Sequence, residues 1–173
     1  SYPMAAVYGF RITLTGKGTH GSTPQMRIDP INTGVHVYLA LQELIAREVS
    51  PTEEAVLTIG RFDAGKVSNV IPERAILGGT LRTFKPEVRD MLIRRIQEVT
   101  ESVAKTYRTE LHFEVLSDVP PVTCYKTLNE EVLHSIETLD SRLNLLPYYH
   151  VMGSEDFAFI SERVPSSYFG LGA

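Results

Sequence analysis

Four short stretches of the 173-residue chain carry side chains suited to chemistry. In GKGTHGSTP, His20 sits among glycines and small polar residues. An imidazole N–H on such a turn can donate to an oxygen that gains negative charge, or stand solvated and idle. In SNVIPE, Asn69 offers a side-chain amide to a carbonyl or carboxylate. An asparagine ahead of two β-branched residues and a proline is equally a turn former, satisfied locally. In GTLRTF, strand alternation sends Leu81 and Thr83 to one face and Arg82 to the other. A planar guanidinium there can grip a carboxylate through two parallel hydrogen bonds, and the same alternation also suits a solvated arginine. In GSEDFA, Gly153 and Ser154 are expected to open a helix whose unpaired N–H groups attract an anion. The alternative is an ordinary serine cap, with Glu155 and Asp156 favourable in the first turn.

Other reactive side chains fit less well. Glu155 and Asp156 have His134 and His150 as possible partners, but at no recognisable ligand spacing, so no metal site is assigned. His36 and His134 fall inside amphipathic helical patterns, and His112 alternates out of a strand. Cys124 lies in a linker without a paired base and reads as inert.

These residues need a scaffold, and the hydrophobic pattern supplies one. VYGFRITLT, from Val7 to Thr15, alternates as a strand does. Asp29 then caps a helix with Pro30 in its first turn and an apolar face of Ile31, Val35, Tyr38, Leu39, Leu41, Leu44 and Ile45. A second strand centres on Val56 to Phe62, SNVIPE connects it to a third, and the third runs from Ala75 to Phe84. Lys85 and Pro86 open a second helix, with Val88, Met91, Leu92, Ile96, Val99 and Val103 at helical spacing. Glu110 to Leu116 is a fourth strand. The order βαββαβ predicts an α+β, ferredoxin-like unit: an antiparallel sheet with both helices on one face, occupying residues 1–118.

Residues 119–173 differ. PPVTCYK reads as an extended linker, Leu128 to Leu139 as an amphipathic helix, GSEDFAFISERV as the start of another, and SSYFGLGA as a buried strand. Two helices and one strand bury no core of their own, so this part is expected to be an incomplete piece of an α/β catalytic domain. Ser1 accordingly reads as the start of an excised or processed piece.

Lys+Arg 17 against Asp+Glu 21 gives a formal net charge of -4, which argues against nucleic acid or an anionic membrane as partner. No apolar run approaches the ~20 residues of a membrane span, and the N-terminal stretch lacks the pattern of a signal peptide. One cysteine precludes an intrachain disulfide and fits a reduced, cytoplasmic setting.

GKGTHGSTP, SNVIPE, GTLRTF and GSEDFA, in that order on those elements, resemble the metal-dependent aminoacylase and carboxypeptidase family that includes hippurate and indoleacetyl-amino-acid hydrolases. The resemblance covers essentially the whole chain. It implies a parent amidohydrolase that cleaves the amide bond of N-acyl amino acids with a divalent metal pair (zinc, manganese or similar). Its metal ligands and general base would lie before Ser1 and one ligand after Ala173, so this chain alone is expected to be inactive and to bind no metal. It also implies that the ferredoxin-like unit is a lid that forms a homodimer. By the same resemblance, His20 donates to the scissile carbonyl oxygen, often across the dimer. Arg82 and Asn69 bind substrate, and the substrate carboxylate lies near Gly153 and Ser154. Alternatives are a carboxypeptidase or dipeptidase on the same fold, or a non-catalytic ferredoxin-like module for dimerisation or ligand sensing.

Overall fold

The computed structural model describes residues 2–20, 25, 27–139 and 150–170. Its elements are β1 (Ala6–Thr15), β2 (Thr19–His20), α1 (Pro30–Glu48), β3 (Ala55–Ala64), β4 (Val70–Ile71), β5 (Arg74–Thr83), α2 (Pro86–Thr106), β6 (Glu110–Val119), α3 (Lys126–Leu139) and α4 (Ala158–Ser161). The four long strands form one antiparallel sheet in the order β3-β5-β1-β6, and α1 and α2 pack on it. The fold is α+β and ferredoxin-like.

Alternation decides which face receives the helices. Phe10, Ile12 and Leu14 of β1 and Ala75, Leu77 and Leu81 of β5 are fully buried with Val37, Leu41 and Leu44 of α1 and Leu92 and Ile96 of α2. Each large apolar side chain so buried contributes about 1.5–3 kcal/mol. Arg74, Ile76 and Arg82 alternate with the core residues of β5 and occupy the helix-free face.

Asp29 caps α1 as expected, its Oδ1 accepting from the N–H groups of Ile31 (2.8 Å) and Asn32 (3.3 Å). The face that α1 buries matches the expected one at Leu41, Leu44 and Ile45 and differs from it over the first half of the helix. Pro30, Thr33, Gly34, Val37, Leu41 and Leu44 face the sheet, while Ile31, Val35, Tyr38 and Leu39 are exposed. The reason is close approach at Gly34, where a Cβ would stand 2.7 Å from Cζ of Phe62. A small residue lets the helix settle over β3, and that rotation turns the Ile31–Leu39 stripe outward.

Beyond β6 the chain is tied down by hydrogen bonds and by a few buried side chains, Val122, Cys124 and Ala158, outside the main core. The N–H of Val122 donates to the Met4 carbonyl, that of Thr123 to Oγ of Ser161, and that of Tyr125 to the Ser166 carbonyl. Cys124 is buried in this strip. α3 forms one residue pair earlier than its apolar pattern begins, and buries none of its residues. The strand expected over SSYFGLGA does not appear in its described part, residues 166–170, because no backbone ladder pairs with it there; residues 171–173 lie outside the described residues.

Candidate functional site

Arg82 is the last residue but one of β5, flanked by Val7 of β1 and Val56 of β3. Its Nη1 donates to the carbonyl oxygen of Met152 at 2.5 Å. Among the described residues its Nε and Nη2 have no acceptor, so one edge of the fork is anchored and the rest is presented outward. Lys85, at the same end, is occupied: it donates Nζ to Oε1 of Glu53 at 2.6 Å, and that hydrogen bond holds the ammonium above the ordinary lysine range.

The 150–153 segment reaches Arg82 by pairing with the chain's start. Met4 and Val151 form a parallel bridge, and the N–H of Ala5 donates to the Gly153 carbonyl at 2.9 Å. His150 packs edge-on against Phe84 with ring centroids 5.1 Å apart, and its Nδ1 lies 2.9 Å from the Tyr2 carbonyl oxygen. These contacts bring Gly153 and Ser154 next to the residue whose carbonyl Arg82 holds, and neither N–H has a partner among the described residues.

Gly153 and Ser154 do not open a helix, contrary to expectation. Residues 155–157 form a turn, and α4 begins only at Ala158 and lasts four residues. The strand-like pairing of Val151 and Gly153 with Pro3–Ala5 requires extended backbone just where the helix would start. Any anion at this turn is therefore met by loose N–H groups and a guanidinium, not by a helix dipole.

His20 and Asn69 lie at the other end. β2 pairs with β4, placing His20 opposite Val70 directly after Asn69. SNVIPE is thus not merely a connection: its Val70–Ile71 pair is half of a two-stranded ribbon, too short to leave a periodic signal. Both His20 and Asn69 are exposed. The Asn69 side chain has no hydrogen bond among the described residues, unlike a locally satisfied turn former. Gly21 to Pro24 of the first stretch lie outside the described residues.

The two groups are far apart. Along β5 the register runs from Arg74 opposite Thr15 to Arg82 opposite Val7, a separation of roughly 26 Å at about 3.3 Å per residue. One amino-acid-sized ligand cannot touch both within one chain. The structure thus brings Arg82, Gly153 and Ser154 together, and His20 with Asn69, at opposite ends of the sheet.

Among the described residues no group of three His, Cys, Asp or Glu side chains could hold a metal ion, Glu155 and Asp156 included. Nor is any helix there long and apolar enough to cross a membrane.

Comparison with known proteins fits this geometry. The family described as "Peptidase dimerisation domain" matches residues 7–108. N-acetyl-L-cysteine deacetylase of Bacillus subtilis is 31% identical over 172 residues, covering 98% of this chain and 40% of that protein. IAA-amino acid hydrolase ILR1-like 5 of Arabidopsis thaliana is 34% identical over 178 residues, again 98% and 40%. The chain thus spans about 40% of the length of these curated relatives. A methicillin-resistant Staphylococcus aureus protein named as an aminohydrolase superposes with a TM-score of 0.88 at 27% identity, covering 95% of this chain and 42% of that one. A dinuclear metal-binding peptidase of the M20 family from Bacillus subtilis gives 0.74 at 28%, covering 95% and 40%. With the family match extending over β1, β3 and β5 of the sheet and both packed helices, the chain belongs to the M20 family through its peptidase dimerisation domain.

Proposed function

We propose that this chain is the lid, residues 1–118, and part of the catalytic domain, residues 119–173, of a hydrolase that cleaves N-acyl amino acids. The observation that carries the reading is the separation of the two groups of candidate site residues to opposite ends of one open-edged sheet. β3 is an edge strand, and beside it α1 presents Ile31, Val35, Tyr38 and Leu39 to solvent. An unpaired edge next to an apolar stripe invites a second copy, most simply by two-fold pairing of β3 with β3. Antiparallel pairing sets the Ala64 end of one β3 beside the Ala55 end of the other. His20 and Asn69 of one copy then approach the Arg82 end of its partner. Arg82, with the N–H groups of Gly153 and Ser154, takes the substrate carboxylate; Asn69 and His20 of the partner subunit take the carbonyl, His20 at the developing oxyanion.

The divalent pair (zinc, manganese or similar) would be held by the remainder of the full-length protein, since the described residues offer no site for it. This chain's part is to bind, orient and supply the donor. A reducing, cytoplasmic setting belongs to the same reading, as Cys124 is the chain's single cysteine. The test is hydrolysis by the metal-loaded full-length protein of a panel of N-acetyl amino acids against their C-terminal amides. Faster cleavage of the free acids is expected. Equal rates, or no cleavage of either, would overturn the reading.

A further inference from the structure

Next to the His20–Asn69 ribbon lies a cleft of about 450 Å³, lined by Asp63 of β3, Lys66 and Val67 of the β3–β4 connection, Val70 of β4, and Arg74 and Ile76 of β5. Its size suits a small-molecule group rather than a whole protein segment. Val67, Val70 and Ile76, with Ala64 and Pro72, cover its walls, and the charges at its rim are unbalanced. Asp63 is already engaged by Arg61, whose Nη2 lies 2.6 Å and Nε 3.2 Å from Oδ2. Lys66 and Arg74 have no carboxylate partner among the described residues. In a chain of formal net charge -4, two unneutralised cations around one apolar cleft make a local anion preference.

We propose that this cleft takes a second anionic group of the substrate, distinct from the carboxylate held at the Arg82 end, so that the protein favours N-acyl amino acids bearing an additional carboxylate. This rests on the reading in which Asn69 and His20 meet the substrate, because Val67 and Val70 of the cleft flank Asn69 in sequence. Methylenes of the ligand lie on Val67, Val70 and Ile76, and its terminal carboxylate meets Lys66 and Arg74. The extra carboxylate has two possible sources, the amino-acid side chain or the acyl chain.

Affinities of the metal-free full-length protein, measured by ligand-observed NMR titration, separate these cases without requiring turnover. One arm compares N-acetyl-L-glutamate with N-acetyl-L-glutamine, the other N-succinyl-L-leucine with N-butyryl-L-leucine. About ten-fold tighter binding of the dianion in at least one arm is expected, falling toward parity in Lys66→Met and Arg74→Met, and returning in Lys66→Arg. The arm that shows the preference names the source. Parity in both arms of the wild-type protein, or a preference that survives both methionine variants, would overturn the proposal. A retained preference in a protein that hydrolyses none of the four would count against the hydrolase reading alone.

Discussion

Among the described residues Arg82 has one hydrogen bond, to a backbone carbonyl, which in the proposed site would aim its fork before the ligand arrives. Arg82→Ala in the full-length protein should raise KM about 10- to 100-fold for substrates with a free carboxylate, the loss of one charge-assisted pair, with little further effect on the amidated substrate. Equal weakening of both would make Arg82 a structural tie to Met152. In the proposed site His20 acts on charge that forms only in the transition state. His20→Ala should therefore lower kcat by about 10²-fold or more while KM moves little, as steady-state kinetics will read directly. The residue types at both positions were legible in the sequence, because a guanidinium or an imidazole inside a short motif declares its chemistry. Their grouping was not: Arg82 and Asn69 are 13 residues apart in the chain, yet the strand that joins them carries them to opposite ends of the sheet.

At the scale of elements, packing turns on two close approaches. Gly34 lets α1 settle onto β3, and Gly79 lies where a Cβ would meet Phe10 Cζ at 2.6 Å, Ile59 Cδ1 at 2.8 Å and the Thr58 carbonyl oxygen at 2.8 Å. A backbone oxygen cannot step aside as a side chain can. Gly79→Val should lower unfolding free energy by about 2 kcal/mol or more in urea denaturation, although valine is the better strand former. The outward stripe of α1 has a different fate. Val35→Glu with Leu39→Glu should leave the circular dichroism of the lid unchanged and shift the full-length protein from dimer to monomer in sedimentation equilibrium. A dimer that persists would move the interface away from α1.

The whole molecule joins these scales, because the proposed site is complete only when two copies meet. Assayed at substrate well below the wild-type KM, where the Arg82→Ala homodimer is nearly silent, mixing His20→Ala subunits with Arg82→Ala subunits should restore activity after exchange. In a mixed dimer one site receives His20 from one copy and Arg82 from the other. About half of the dimers are mixed on random exchange, each with one working site, so recovery should approach about a quarter of wild-type activity. Absence of recovery despite demonstrated exchange would place both residues in one subunit's site.

What the sequence determined by itself was the set of long strands and helices and their order, and from these the ferredoxin-like class. Period-2 and period-3.6 patterns report local backbone geometry, and in Val7–Thr15 and Ala75–Phe84 the alternation is strong enough to place each strand to within a residue or two. Tertiary structure decided what local patterns leave open. α1 carries two apolar stripes, and which of them is buried depends on the fit between its Gly34 and Phe62 of β3, a pairing that the helix pattern alone does not encode. The helix expected at Gly153 lost to backbone pairing with Pro3–Ala5, more than a hundred residues away. The division of the candidate site into two ends came from antiparallel register, a relation between strands that no single segment encodes.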